Sequence, residues 1–303
     1  MITDTLIEKI IEKRNPTCVG LDTSFDYLPE EMKSGVTDFA GAAQAILAFN
    51  KKIIDSVYDI VPAVKVQIAY YEQYGAAGIE AFQRTCAYAK GKGLIVIADA
   101  KRNDIGATAA RYAAAFLGKT QINNEQNAAL ESDFLTVNGY LGSDGISPFI
   151  EECKAHDKGI FVLVKTSNPS SGELQNLKLE DGRRVYECMG DMVDNWGKDC
   201  IGKYAYSAVG AVMGATYPEE AGILRARLPH TFFLIPGYGA QGANAQMLKN
   251  CFDERGLGGI VNNSRGILCA YKKQGGTFFE AAREACLTMQ KDLLSVLGDI
   301  CAK

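Results

Sequence analysis

The chain has 303 residues, 47% hydrophobic and 22% charged, with a formal net charge of −4; this is an ordinary soluble globular composition, long enough for one large α/β barrel or two smaller domains. Weak acidity offers no general attraction for nucleic acid or anionic lipid, so an anionic ligand must be held by a local cluster of donors. Nine cysteines without a C-x-x-C pair cannot close a disulfide framework, and His156 and His230 lie too far apart for a zinc or H-x-x-x-H site, which points to a reduced, cytoplasmic protein without a metal.

The opening MITDTLIEKIIEKRN alternates charge with apolar residues and is expected to form a surface helix; no apolar run reaches membrane-spanning length. Short β-branched or apolar runs then recur at 17–22, 61–67, 94–99, 133–138, 159–165, 207–213, 232–236 and 258–263. The intervals between them accommodate crossover helices, and Ile46, Phe49, Ile53 and Val57 share one helical face. Stretch 168–183, with Pro169, Gly172 and Gly182, is the longest irregular segment and a candidate lid. The final segment, 277–297, begins with a T-F-F-E capping box and suits a closing helix. Six strands could form a doubly wound open sheet, but eight evenly spaced β-α units without a composition break predict a single-domain α/β protein, a (β/α)8 TIM barrel spanning 1–303.

In such a barrel, chemistry collects at the C-terminal ends of the strands. Asp22, Lys65, Asp99, Lys101, Asn138, Ser167, Gly237 and Arg265 all fall there, whereas His156 and His230 precede strands and belong to the stabilising face. Within IVIADAKRNDIGAT (95–108), Asp99 and Lys101 are two residues apart and are expected on one side of the strand. Asn103 or Asp104 is expected to cap the alanine-rich helix that follows, ended by Gly118, with Thr108 one turn after Asp104 on the same face. Solvated loop charges and a helix cap would produce the same letters. Placement at a strand mouth beside Lys65 favours chemistry, because alternating acids and bases make a preorganised field able to stabilise a developing carbanion without a cofactor.

Two glycine-containing loops, PGYGAQG from Pro236 and NNSRG from Asn262, follow strands seven and eight, where barrels commonly bind phosphate; Arg265 adds a guanidinium suited to phosphate oxygens. Taken singly, either loop reads equally as caps and turns. After strand five, the hydroxyl and amide side chains of VLVKTSNPSSG suit either the polar edge of a base or turn formation.

DAKRNDIGAT resembles the Asp-x-Lys-x-x-Asp-Ile-x-x-Thr signature of the orotidine 5'-monophosphate decarboxylases, with Asp99, Lys101, Asp104, Ile105 and Thr108 at its fixed positions. The resemblance, strongest to the longer bacterial subgroup, implies a cofactor-free barrel that converts orotidine 5'-monophosphate to uridine 5'-monophosphate and carbon dioxide in pyrimidine biosynthesis. It implies a homodimer with shared sites: Lys65, Asp99 and the proton donor Lys101 from one subunit, Asp104 and Thr108 from the other. Substrate contacts would come from Asp22 to the ribose, Ser167 to the pyrimidine, and Gln241 and Arg265 to the phosphate, with Ile105, Pro236 and Ser264 alongside. Segments 114–133 and 168–206 are longer than in compact members. Three other readings compete: a magnesium-assisted sugar-phosphate decarboxylase, a Schiff-base aldolase using Lys65 or Lys101, and a silent nucleotide-binding barrel. Ile105, Thr108 and Gln241 argue against the first, aspartates that keep the lysines protonated against the second, and retention of the whole charged set against the third.

Overall fold

The computed structural model describes residues 1–239 and 242–300. All eight expected runs are strands: β1 (Thr17–Gly20), β2 (Ala63–Gln67), β3 (Ile95–Arg102), β4 (Phe134–Val137), β5 (Gly159–Lys165), β6 (Val209–Met213), β7 (Phe233–Pro236) and β8 (Gly259–Asn263). Each pairs in parallel with its sequence neighbours, and β8 returns to β1 with Thr17 opposite Val261, so the sheet closes into a barrel and the open-sheet alternative falls. Both faces of the strands are covered, one by the barrel interior and one by helices, which is why they read as continuous apolar runs rather than alternating ones. Phe134 and Phe161 stack across β4 and β5 with ring centroids 5.0 Å apart.

The helical faces read from sequence are the buried ones. Helix Phe39–Val57 starts where the Asp38 carboxylate accepts from Gly41 N–H at 2.7 Å, and it turns Ile46, Phe49, Ile53 and Val57 inward. Helix Phe278–Leu297 is capped by Thr277, and Phe278 stacks on Phe49 at 4.5 Å, joining the last helix to the first barrel helix. The amino-terminal helix Ile2–Lys13 lies at the surface as expected, with Glu8 and Glu12 exposed and its other face turned inward. It buries Leu6, Ile7 and Ile10, while Ile2 N–H donates to Asp157 Oδ1 (2.8 Å) and the Thr3 hydroxyl to the Ser207 carbonyl (3.2 Å). Asp157 and Ser207 immediately precede β5 and β6, so this helix packs at the N-terminal end of the barrel, away from the strand mouths.

That end also carries Asp133, whose Oδ1 accepts from Lys90 (3.0 Å) and Lys158 (3.1 Å) while its Oδ2 accepts from Val96 N–H (2.9 Å). His156 pairs with Glu152 at 3.2 Å and His230 meets the Ala205 carbonyl at 2.8 Å, both on this face as expected. The two longer segments have structure of their own. Within 114–133 an exposed antiparallel hairpin joins Thr120–Ile122 to Glu125–Asn127. Stretch 168–183 is not irregular throughout: it holds a 3-10 turn, Pro169–Ser171, a helical turn, Gly172–Gln175, and leads through a Lys178–Arg184 bridge into helix Val185–Gly197. The eight described cysteines are all free, and among the described residues no helix is long and apolar enough to cross a membrane.

Candidate active site

The mouth of the barrel holds a chain of charges that crosses the ends of four strands. The Ser264 hydroxyl, just past β8, donates to Asp22 Oδ2 at 2.8 Å, and Asp22 Oδ1 accepts from Lys65 Nζ of β2 at 3.2 Å. Lys65 also donates to Asp99 Oδ2 of β3 at 2.8 Å, and Asp99 Oδ1 accepts from Lys101 Nζ at 2.6 Å. Two neutral donors complete the carboxylate: Gln67 Nε2 at 2.9 Å and the Thr136 hydroxyl at 2.8 Å. Glycine is required where this chain closes, since a Cβ on Gly20 would lie 1.9 Å from Ser264 Oγ.

Burial sets the electrostatics. Asp99 is 7% exposed; burial alone would raise its pKa, but the charges of Lys65 and Lys101 and their hydrogen bonds outweigh it and hold the carboxyl well below the usual range. For Lys65, 3% exposed, burial would lower the pKa, yet the Asp22 and Asp99 carboxylates raise it above the ordinary lysine value. Both groups are therefore charged at neutral pH, a lysine and an aspartate neutralising each other in a site from which little water can screen them.

Asp99 and Lys101 do meet, but not by simple strand alternation. The pairing of β3 with β4 slips between Ala98 and Arg102, and Lys101 has φ 48 in the left-handed region. The N–H groups of Ala100 and Lys101 both donate to Thr136 Oγ1 at 3.0 Å.

Around these charges lies a cavity of about 750 Å³, a volume suited to a small-molecule ligand. Leu163, Val212 and Leu234 give it an apolar wall from β5, β6 and β7. Thr166, Ser167, Asn168 and Gln175 border it after β5, and Pro236, Gly237, Tyr238 and Arg265 border it after β7 and β8. The sequence-predicted Asp22, Lys65, Asp99, Lys101, Ser167, Pro236, Ser264 and Arg265 are thus brought together around one space. Gln241 lies outside the described residues.

Asp104, Ile105 and Thr108 are not among the residues lining this cavity. The expected cap is also corrected: the helix runs Gly106–Phe116 with Ile105 as N-cap and no side-chain cap, and Asp104 precedes it, its Oδ1 accepting from Ile105 N–H at 2.8 Å. The extension of β3 to Arg102 leaves 103–105 as a short link outside strand and helix, so Asp104 does not share a helical face with Thr108.

Sequence reasoning missed Gln67, the polar last residue of β2, and Thr136, a hydroxyl inside the otherwise apolar β4. It also missed Lys165, the last residue of β5, which is fully buried and is not among the residues lining the cavity. Its ammonium donates to Asn176 Oδ1 (2.9 Å) and Ser171 Oγ (3.4 Å) and sits 4.2 Å from the centre of the Tyr217 ring. Burial holds its pKa below the usual lysine value. The Thr166–Gln175 side of the cavity is thereby pinned from behind, with Gln175 also bonded to Thr166 through both its amide atoms.

The family model for orotidine 5'-phosphate decarboxylase / HUMPS proteins matches residues 17–275, the whole span from β1 past β8. The chain belongs to this family. Among its relatives, an orotidine 5'-phosphate decarboxylase of Clostridium botulinum strain Langeland is 46% identical over 296 residues, covering 97% of this chain and 99% of the relative. One from Clostridium perfringens strain SM101 is 44% identical over 295 residues, covering 97% and 98%. The solved OMP decarboxylase of Leishmania donovani superposes with a TM-score of 0.73 at 28% identity, covering 97% of this chain and 99% of that one. Within the decarboxylase/HUMPS family, similarity along the full length therefore runs to members named for the decarboxylase.

Proposed function

We propose that the cavity binds orotidine 5'-monophosphate and releases uridine 5'-monophosphate and carbon dioxide, with Lys101 protonating C6 of the pyrimidine. The observation that carries this is the Lys65–Asp99–Lys101 array at the floor of the cavity. Breaking the C6–carboxylate bond leaves an electron pair at a carbon whose ring cannot delocalise it, so stabilisation has to come from fixed charge. Lys101 is the lysine nearer to solvent, its side chain 47% exposed against 4% for Lys65, and it is the one able to approach a ligand and give up a proton. Asp99 would face the departing carboxylate while holding both ammonium groups in place through its hydrogen bonds.

Asp22 and Ser264 suit the ribose hydroxyls, Ser167 with its neighbours the pyrimidine edge, and Arg265 with the loop after Pro236, including Gln241, the phosphate. Binding at the phosphate end would supply free energy for closure around the reacting carbon. The reading needs no metal or cofactor. Four donors, from Lys65, Lys101, Gln67 and Thr136, already occupy the roughly four lone-pair sites of the Asp99 carboxylate, which leaves a cation no vacancy there.

The same proposal includes a homodimer in which Asp104 and Thr108, with Ile105, complete the partner's site. In support, Ile105 is 56% exposed and Tyr140 76% exposed, and the two segments are neighbours: a Cβ on Gly145 would stand 2.9 Å from Asn103 Oδ1 and 3.1 Å from the Asp104 carbonyl. Exposed apolar side chains close to unused site residues are what a second copy would cover. A cytoplasmic setting fits the free cysteines. The test is loss of orotidylate absorbance with a metal chelator present. Undiminished turnover is expected; activity abolished by chelation and restored by magnesium would favour the sugar-phosphate reading instead.

A further inference from the structure

Lys101 is held in a backbone conformation that a residue with a Cβ disfavours, and β3 has slipped from its partner at that point, so the ordinary ladder does not explain why the conformation persists. One side chain does. The Thr136 hydroxyl, on β4 and 1% exposed, accepts from Ala100 N–H and from Lys101 N–H, each at 3.0 Å, and donates its own proton to Asp99 Oδ1 at 2.8 Å. A hydroxyl has one proton and two lone pairs, so all of its hydrogen-bonding capacity is used here. The same oxygen thus ties down the backbone from which Lys101 departs and the carboxylate that its ammonium reaches at 2.6 Å.

We infer that Thr136 is a positioning residue for Lys101: its hydroxyl replaces the lost strand partner, keeps the bulge in β3, and thereby sets where the Lys101 ammonium stands against the bound pyrimidine. Without it, the buried Ala100 amide and the part-buried Lys101 amide lack an acceptor and β3 is drawn toward regular pairing. A regular strand separates residues two apart by roughly 6.8 Å along its axis, which would carry the Lys101 backbone up and away from Asp99. The inference rests on the catalytic reading of Lys101 given above. It assigns Thr136 to the chemical step rather than to the grip on ribose or phosphate, whose candidate residues lie on other strands.

The test compares Thr136→Val, Thr136→Ala and Thr136→Ser for kcat in the orotidylate assay and for affinity toward uridine 5'-monophosphate. Valine keeps the shape and removes the hydroxyl, alanine leaves room for a water, and serine keeps the hydroxyl. Valine and alanine should lower kcat by about 100-fold, the scale of a misplacement near 1 Å, with product affinity changed by no more than about threefold; serine should retain most of the rate. Wild-type kcat in the valine variant overturns the inference, as does product affinity that falls in step with kcat, or a serine variant as slow as valine. If valine prevents folding, alanine and serine decide by the same criteria. Lys101→Ala run in parallel separates the two levels: an active Lys101→Ala enzyme removes the catalytic reading and this inference with it. An inactive one beside a normal valine variant removes the inference alone.

Discussion

Replacing Lys101 with alanine tests the proposed chemistry most directly, because the structure separates what the side chain does for catalysis from what it does for the fold. Its side chain is 47% exposed and its ammonium bonds one oxygen of Asp99, which keeps Lys65, Gln67 and Thr136 when Lys101 is cut back. The Asp99 side chain itself is only 9% exposed, so losing this one of its four donors costs about 1–3 kcal/mol of stability. The catalytic loss is of another size. Positioned proton transfer contributes roughly 10²–10⁴ in rate, and a preorganised charge at the developing anion roughly 10²–10³. Two effects in one group are not strictly additive, so a fall of at least about 10⁴ in kcat, some 5 kcal/mol of barrier, is the conservative expectation. Affinity for uridine 5'-monophosphate should change by less than about tenfold, since the candidate ribose and phosphate contacts remain. Single-turnover absorbance measurements with calorimetric product binding give both numbers. A variant that turns over within about tenfold of wild type would refute the role of Lys101 and the electrostatic account with it.

Inactive Lys101→Ala and Asp104→Ala chains, mixed and allowed to exchange subunits, should recover about a quarter of wild-type activity, because half the dimers are mixed and one of their two sites is intact; no recovery after proven exchange would rule out shared sites. Asp133→Ala should cost about 2 kcal/mol, discounted for the partial exposure of Lys90, by leaving two lysines unpaired at the far end of the barrel. Its kcat should be unchanged, and a parallel loss of activity in the folded variant would contradict the separation of the two ends. Asp99 has a depressed pKa, so its contribution to stability is present above the unfolded aspartate value near ~4 and is lost as pH falls through the folded one. Lys65 has a raised pKa, so its contribution is present below the unfolded lysine value near ~10 and is lost as pH rises beyond it. The urea midpoint of Asp99→Asn should therefore fall less steeply on acidification than that of wild type; identical acid limbs would count against the pairing.

The barrel was legible because its strands are doubly covered and written as uninterrupted apolar runs, and because polar residues gather just after them. Asp22 and Ser264 could each be recognised as strand-end residues, yet their hydrogen bond joins positions 242 apart and exists only once the ring has closed. The bulge in β3 was hidden for a related reason: IVIADAKR looks like a regular strand, and what distorts it is a hydroxyl on β4. Local propensity also misplaced the helix start. Asp104 is the better capping residue by type, but β3 runs on to Arg102 and the link that follows puts Ile105 at the cap. Lys165 ends a run that its neighbours mark as buried, and only the tertiary structure shows that Asn176, Ser171 and Tyr217 make room for its charge.

The backbone at Lys101 sets two kinds of selection against each other. Left-handed φ costs a side-chain-bearing residue roughly 1–2 kcal/mol, a cost that glycine escapes and asparagine partly escapes. A mutant library screened only for survival on heating would be drawn toward glycine or asparagine at position 101. A library screened for growth without a pyrimidine source would return to lysine. Running both screens on one library would display, at a single codon, how far stability and catalysis in this protein pull apart.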